Sequence, residues 1–268
     1  MIITNTSLSN AQLLTLAPSI FAEKAHSNRS DRYGFVPTIE VVKTLRKAGY
    51  LPVQAFQAKA RQSMVGNEEF MKHTVRFRLK TDIENAKANS LLPDVILTNS
   101  HNGTTSFKME AGLYRMVCSN GLTIKSESYG EVKIQHSGNI ADRVREGADF
   151  IIDCAPKALE ITKAWDRIQL TPRQRINFAR EALTFRYGET VPHVTPEQIL
   201  VPRRNADEGN SLWRVFNVVQ ENLEQGGING VDGRGKDVVS RPVTSGGNSL
   251  RANRQLWELA ETFAKRNR

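Results

Sequence analysis

His73-Thr74-Val75-Arg76-Phe77-Arg78-Leu79-Lys80 alternates apolar and polar residues without a break. Val75, Phe77 and Leu79 share one side, and Thr74, Arg76, Arg78 and Lys80 the other, as an extended strand with a side-chain period of two requires. The same pattern recurs on both sides of this stretch. Val53, Ala55 and Gln57 belong to a preceding strand, Val95-Ile96-Leu97 is a short apolar one, and Ser106 to Val117 is a longer one, with a bend or bulge expected at Ala111-Gly112. Glu131 to His136 alternates again. No helical pattern separates most of these strands, which argues against a doubly wound parallel sheet. The fold class is α+β: a mostly antiparallel sheet over about 51–137, packed with helices, and a helical second half.

The helices carry their own punctuation. Thr38 reads as an N-cap, with Ile39, Val42 and Leu45 at helical spacing and Gly49 as the stop. A short helix is expected from about Asn10. Val144 to Ile168 reads as one long helix, or two broken near Pro156. Thr171-Pro172-Arg173-Gln174 and Thr195-Pro196-Glu197-Gln198 each combine an N-cap, a proline at the first helical position and a glutamine that closes a capping box. Trp213, Phe216, Val219 and Leu223 line one face of a helix opened by Ser211, and Leu250, Leu256, Trp257 and Leu259 one opened by Asn248. Both Trp213 and Trp257 sit at core spacing. Between these helices runs a basic, glycine-rich stretch, 226–247, read as a flexible loop. The expected organisation is an N-terminal helix and irregular segment (1–32), an α+β core (33–225), that loop, and a C-terminal helix packing on the core (248–268).

A chain of 268 residues with 39% hydrophobic content is long enough to bury a sizeable core. No apolar run approaches the roughly 20 residues needed to span a bilayer, and the N-terminus lacks the basic-then-apolar order of a signal peptide. A cytoplasmic protein without a membrane partner is the expectation. Two cysteines, Cys118 and Cys154, are too few for a disulfide framework. The net charge of +9 favours polyanionic partners, because neutralised phosphates release condensed counterions. Residues 1–140 hold 17 Lys and Arg against 11 Asp and Glu, and 141–268 hold 20 against 17, so the first half is the more basic.

Arg76, Arg78 and Lys80 are the first candidates for contact with such a partner. On one strand face they lie about 6.6 Å apart, a spacing that suits successive phosphates of an extended single strand. An ordinary solvated sheet face has the same appearance. Tyr114 and Phe107 are candidate stacking platforms for bases. In the loop, Arg234, Lys236 and Arg241 are further phosphate contacts. Gly230-Val231-Asp232-Gly233-Arg234-Gly235-Lys236-Asp237 comes close to a phosphate-binding P-loop, but Asp237 stands where a magnesium-binding Ser or Thr is needed and no apolar strand precedes it. Nucleotide hydrolysis is set aside.

The densest polar stretch is Asn99-Ser100-His101-Asn102-Gly103, followed by Gly112-Leu113-Tyr114-Arg115-Met116-Val117-Cys118-Ser119-Asn120-Gly121. Asn-Gly is a strong turn signal. His101 and Arg115 are candidate nucleic-acid contacts. His101, Cys118 and His136 are the weaker catalytic candidates, with Cys118 a nucleophile if one of those histidines lies close. His73, His101, His136 and Cys118 match no standard zinc spacing, and Glu110 and Asp94 are isolated acids. No metal or cofactor is expected.

These two turn blocks, together with Val132-Lys133-Ile134-Gln135-His136-Ser137-Gly138, resemble a phage- and plasmid-borne family, domain of unknown function nine-three-two. Tyr33-Gly34-Phe35-Val36-Pro37-Thr38, Ser211-Leu212-Trp213, Val219-Gln220-Glu221-Asn222 and Asn253-Arg254-Gln255-Leu256-Trp257 are similar to it too, so the resemblance spans roughly 33–262. The family commonly has Asp where Asn102 stands here, a change that keeps a turn former. The resemblance implies residence on a phage, prophage or plasmid, and no reaction. The expected function is nucleic-acid binding, in particular binding or annealing of single-stranded DNA, without catalysis and with homo-oligomerisation open. The alternatives are an anti-defence protein that blocks a host defence or repair factor, and an enzyme built on the His/Cys residues.

Overall fold

In the computed structural model of the chain, the described residues are 6–29, 34–59, 66–85, 91–115, 121–123, 131–133, 140–188, 194–243 and 246–267. They form two compact units, 1–156 and 157–268, so the expected core over 33–225 is divided at Pro156.

The first unit is built on an antiparallel meander of β1 (Tyr50–Gln57), β2 (His73–Leu79), β3 (Leu91–Asn99) and β4 (Lys108–Arg115). The short strands β5 (Gly121–Thr123) and β6 (Glu131–Lys133) both pair with the far edge of β4. The α+β reading holds. The register is continuous through Ala111-Gly112, which pair with Val95 and Asp94, so the bulge expected there is absent. A register shift occurs instead between Pro52 and Gln54 of β1.

The pleat sorts the side chains as the alternation dictates. Ala55 of β1, Val75 and Phe77 of β2, Val95 and Leu97 of β3, and Met109 and Ala111 of β4 form one apolar face. Against it pack Leu13 and Ala17 from α1 (Asn10–Leu16) and its C-cap, Ile20 from the turn after it, and Val41, Val42 and Leu45 from α2 (Thr38–Lys47). Helix α3 (Lys80–Glu84) follows β2 directly.

Helix α4 (Ile140–Arg167) continues through Pro156 without a break. The second unit adds α5 (Pro172–Tyr187), α6 (Pro196–Ile199), α7 (Leu212–Gln225) and α8 (Gly246–Arg266). Thr171 and Thr195 close the expected capping boxes, and Ser211 caps α7. The core of this unit is aromatic. The Trp165 ring centroid lies 4.4 Å from that of Trp257 and 5.8 Å from that of Phe216, and Trp213 stacks on Phe216 at 5.6 Å. Glycine-rich residues 226–247, expected to be an irregular loop, instead include a hairpin of β7 (Asn229–Val231) and β8 (Asp237–Val239).

Candidate functional site

The alternation that predicts β2 also predicts that Arg76, Arg78 and Lys80 share an open face. The structure places them otherwise. Lys80 has left the strand: it opens α3, is exposed, and lies 3.7 Å from Glu84. Arg76 and Arg78 are only 5% and 2% exposed. Both turn onto Asp94 of β3, itself 1% exposed. Arg76 Nη2 donates to Asp94 Oδ2 at 2.5 Å, and Arg78 Nε and Nη2 donate to Oδ1 and Oδ2 at 2.7 and 3.0 Å. Arg76 Nη1 reaches Gln54 Oε1 at 3.1 Å. The register explains the meeting, since Arg78 pairs with Asp94 directly and Arg76 is its diagonal neighbour. Two guanidinium groups held by one buried carboxylate are structural, and the acid that reads as isolated in the sequence is their anchor. Glu110 is equally buried, with Lys108 Nζ at 3.5 Å.

His101 is also enclosed. β3 ends at Asn99 and β4 begins at Lys108, so 100–107 is a wide connection rather than a tight hairpin. Asn102 Oδ1 accepts from Thr104 N and Oγ1 at 3.1 and 2.6 Å, and Gly103 takes a φ of +71°. An aspartate at position 102 would offer the same acceptor oxygen to Thr104. Phe70 O receives both His101 N and Asn102 N, at 3.0 and 3.1 Å. This folds the connection inward and sets the His101 ring 5.2 Å from that of His73, and both residues are fully buried.

Thr38 Oγ1 is the hub between them. It lies 2.9 Å from His73 Nε2, 3.4 Å from His101 Nε2, and accepts from Asn99 Nδ2 at 3.0 Å. Here the expected N-cap role fails: Pro37 occupies the cap and the Thr38 hydroxyl serves the histidines. The donor pattern follows by elimination. His73 Nδ1 lies 3.1 Å from Met71 O, which only accepts, so that nitrogen carries the proton, with Ser19 Oγ at 2.7 Å. Nε2 of His73 is then bare and accepts the Thr38 hydroxyl proton, leaving a Thr38 lone pair for the Nε2–H of His101. Burial, and secondarily the neighbouring His101, lower the His73 pKa to about 3, against the Met71 hydrogen bond. The ring is neutral at any ordinary pH. With no solvent access, the pair braces the turn and is not placed to meet a substrate.

Of the remaining candidates, Cys118 and His136 lie outside the described residues. Arg115 ends β4, its side chain also outside them, as is that of Tyr114. Phe107 is fully buried and offers no stacking surface. Among the described residues no group of three or more His, Cys, Asp or Glu is placed to hold a metal ion. No helix among them is long and apolar enough to cross a membrane.

Arg234, Lys236 and Arg241 have a different setting. All three are exposed, and none forms an ion pair among the described residues. Asp232 closes the tip of the β7–β8 hairpin: its Oδ1 accepts from Arg234 N and Lys236 N at 2.9 and 3.0 Å. A P-loop would offer such amides to a phosphate; here a side-chain carboxylate occupies them, and Arg234 and Lys236 project from a finished turn. At the base the two strands close tightly. Gly227 N donates to Ser240 O at 2.7 Å, and Ser240 N to Ile228 O at 2.9 Å. A Cβ on Gly226, whose φ is +59°, would lie 2.6 Å from both Ser240 O and Arg241 C. Two arginines that the sequence does not single out sit at this base. Arg186 of α5 donates to Arg241 O at 2.6 Å, and Arg203 to Gly226 O and, at 2.6 Å, to Asn222 Oδ1. Neither forms an ion pair among the described residues. They come from segments distant in the chain, and only the packing of α5, the 200–204 segment and α7 brings them to the hairpin.

The family model of DUF932, a domain of unknown function, matches residues 25–257. The chain belongs to that family. It is similar to two Escherichia coli K12 proteins, UPF0380 protein YafZ at 38% identity and UPF0380 protein YfjQ at 37%. Each alignment runs over 256 residues and covers 96% of this chain and 91% of the relative. No solved structure matches it. The DUF932 match includes the buried histidine pair, the Asp94 ion pair and the hairpin alike.

Proposed function

We propose that this DUF932 chain is a non-catalytic nucleic-acid-binding protein of a phage, prophage or plasmid, and that it binds through the β7–β8 hairpin of its second unit. The observation that carries the reading is the set of cations that form no ion pair among the described residues, from base to tip: Arg186, Arg203 and Arg241 below, Arg234 and Lys236 above. The strand β7 covers residues 229–231, two steps or about 7 Å at strand rise, and the turn at 232–236 carries Arg234 and Lys236 beyond its end. The +9 net charge supplies long-range attraction. Arg76 and Arg78 are withdrawn from the contact set because Asp94 already holds them.

The test is an anisotropy titration with DNA at 50 and 200 mM salt, using the wild type and Arg234→Ala/Lys236→Ala/Arg241→Ala. Three lost phosphate contacts reduce the log–log salt slope by about 2.7 on a duplex or about 2.1 on a single strand. Over this salt range those contacts account for a roughly 40-fold or 20-fold change in affinity. A wild type that binds no DNA, or a triple variant with an unchanged slope, overturns the reading.

A further inference from the structure

Resting on that nucleic-acid reading, we infer that the β7–β8 hairpin is a ribbon that enters the major groove of duplex DNA and reads base edges with one of its faces. The register Asn229↔Val239, Gly230↔Val238 and Val231↔Asp237 puts Asn229, Val231, Asp237 and Val239 on the same side. All four are exposed, and Val231 and Val239 keep 54% and 57% of their surface in water. Phosphates have no use for this face. Valine offers them nothing, and the Asp237 carboxylate repels them. Base edges use all of it. In the major groove the thymine methyl is an apolar partner for valine, the cytosine amino group donates to a carboxylate, and adenine pairs with an asparagine amide through N6 and N7. The Asn229 and Asp237 side chains form no hydrogen bond among the described residues. The cations lie beyond this face, at the tip and the base, where the groove's flanking phosphates would run.

Dimensions and composition select the duplex. A two-stranded ribbon fits the B-form major groove, about 12 Å wide. The major groove of double-stranded RNA is too narrow and deep for it. Sequence-tolerant single-strand binding relies on aromatic platforms, and residues 226–243 contain no Phe, Tyr or Trp. The ribbon is also preformed. An isolated two-stranded hairpin is marginal in water, but here its base is held by the Ser240 bonds, by Gln198 Nε2 donating to Asn229 O at 2.8 Å, and by Arg186 and Arg203.

Dimethyl sulfate footprinting of a saturated mixed-sequence duplex tests the placement, because guanine N7 lies in the major groove and adenine N3 in the minor groove. Guanine N7 is expected to be protected and adenine N3 to stay reactive. Selection from a random duplex pool is expected to enrich a motif. Asp237→Asn is expected to shift preference at one position by about five- to 150-fold, with the salt slope unchanged. Val231→Ser/Val239→Ser, which touches only exposed side chains, is expected to lose discrimination between thymine and uracil in the duplex while its tryptophan-monitored unfolding stays that of the wild type. Protection of adenine N3, or a single strand bound as tightly as the duplex, overturns the ribbon placement and leaves nucleic-acid binding standing. A wild type that binds neither overturns both.

Discussion

Asp94→Asn is the sharpest probe of the first unit, because it removes one charge and almost no volume. The Asp94 carboxylate is 1% exposed and accepts three hydrogen bonds from two guanidinium groups, at 2.5, 2.7 and 3.0 Å. After the substitution, Arg76 and Arg78 remain inside with a neutral amide between them, and breaking a buried pair in this way costs about 3–5 kcal/mol. A domain of this size loses roughly 2–4 °C in Tm per kcal/mol, which gives a fall of about 6–20 °C. The readout must belong to the first unit. All three tryptophans lie in 157–268, so tryptophan fluorescence serves as the internal control while hydrogen exchange of peptides from β2 and β3 reports the loss. Salt distinguishes this pair from a surface one: its contribution is expected to be the same at 50 and 500 mM, since a buried pair is little screened. A loss below about 0.5 kcal/mol, the range of ordinary surface substitutions, would refute the burial argument and return Arg76 and Arg78 to an open face. So would a larger loss that salt abolishes.

The histidine network predicts acid sensitivity in the same unit. The folded pKa of His73, about 3, lies below the ordinary 6.5, so between these values the unfolded chain binds a proton that the folded chain refuses. Stability is complete above pH 6.5 and falls by about 1.4 kcal/mol per unit below it; urea melts at pH 7.5 and 5.5 measure the slope, and His73→Asn removes this part of it. Thr38→Val keeps the shape of the hub but strands the bare His73 Nε2, the His101 Nε2–H and the Asn99 amide, at a cost of about 1–3 kcal/mol for each group. Thr38→Ser restores all three bonds and loses only a methyl, about 1 kcal/mol, so the pair of melts separates hydrogen bonding from packing. Gly226→Ala places a Cβ against the backbone of Ser240 and Arg241 in a left-handed conformation, costing at least about 1 kcal/mol and displacing the hairpin base. DNA titration is expected to show a reduced salt slope although no cation has been changed, and an unaltered slope would count against the hairpin as the binding element.

The alternation in 73–80 and the capping boxes at Thr171 and Thr195 were legible because each is a local rule: pleat period, hydroxyl at the N-cap, glutamine three residues on. What the sequence hides is pairing across the sheet. Arg76, Arg78 and Asp94 read as two cations and one acid, but the sequence separation of 16 between Arg78 and Asp94 collapses to a single cross-strand step only once the register is known. Thr38 illustrates the same limit. Its sequence context is that of a cap, and its hydroxyl is instead drawn to histidines 35 and 63 residues away. The hairpin is hidden for the opposite reason. Glycine-rich residues without an apolar alternation carry no strand signal, and the ladder is closed by Asp232 at the tip and by the steric fit of Gly226 at the base.

Net charge, taken alone, does not single out the proposed hairpin. Residues 1–140 hold the larger excess of cations, yet two of them, Arg76 and Arg78, are committed to Asp94 beneath the surface, and counterion release requires a cation that can reach a phosphate. Residues 157–268 hold 18 Lys and Arg against 13 Asp and Glu. Of the five cations at the hairpin, Arg234 and Lys236 have no carboxylate partner among the described residues, while Arg186 and Arg203 donate to backbone carbonyls and side-chain amides, which leave their charge uncancelled. Asp232, the nearest acid to the tip, is occupied by amides of its own turn. Affinity for a polyanion therefore follows from the pairing state of each cation rather than from the sum of charges. Asp232 keeps its charge under those amide bonds just as Arg186 and Arg203 keep theirs, so the five cations at the hairpin, set against Asp232 and Asp237, leave a formal charge of +3 there.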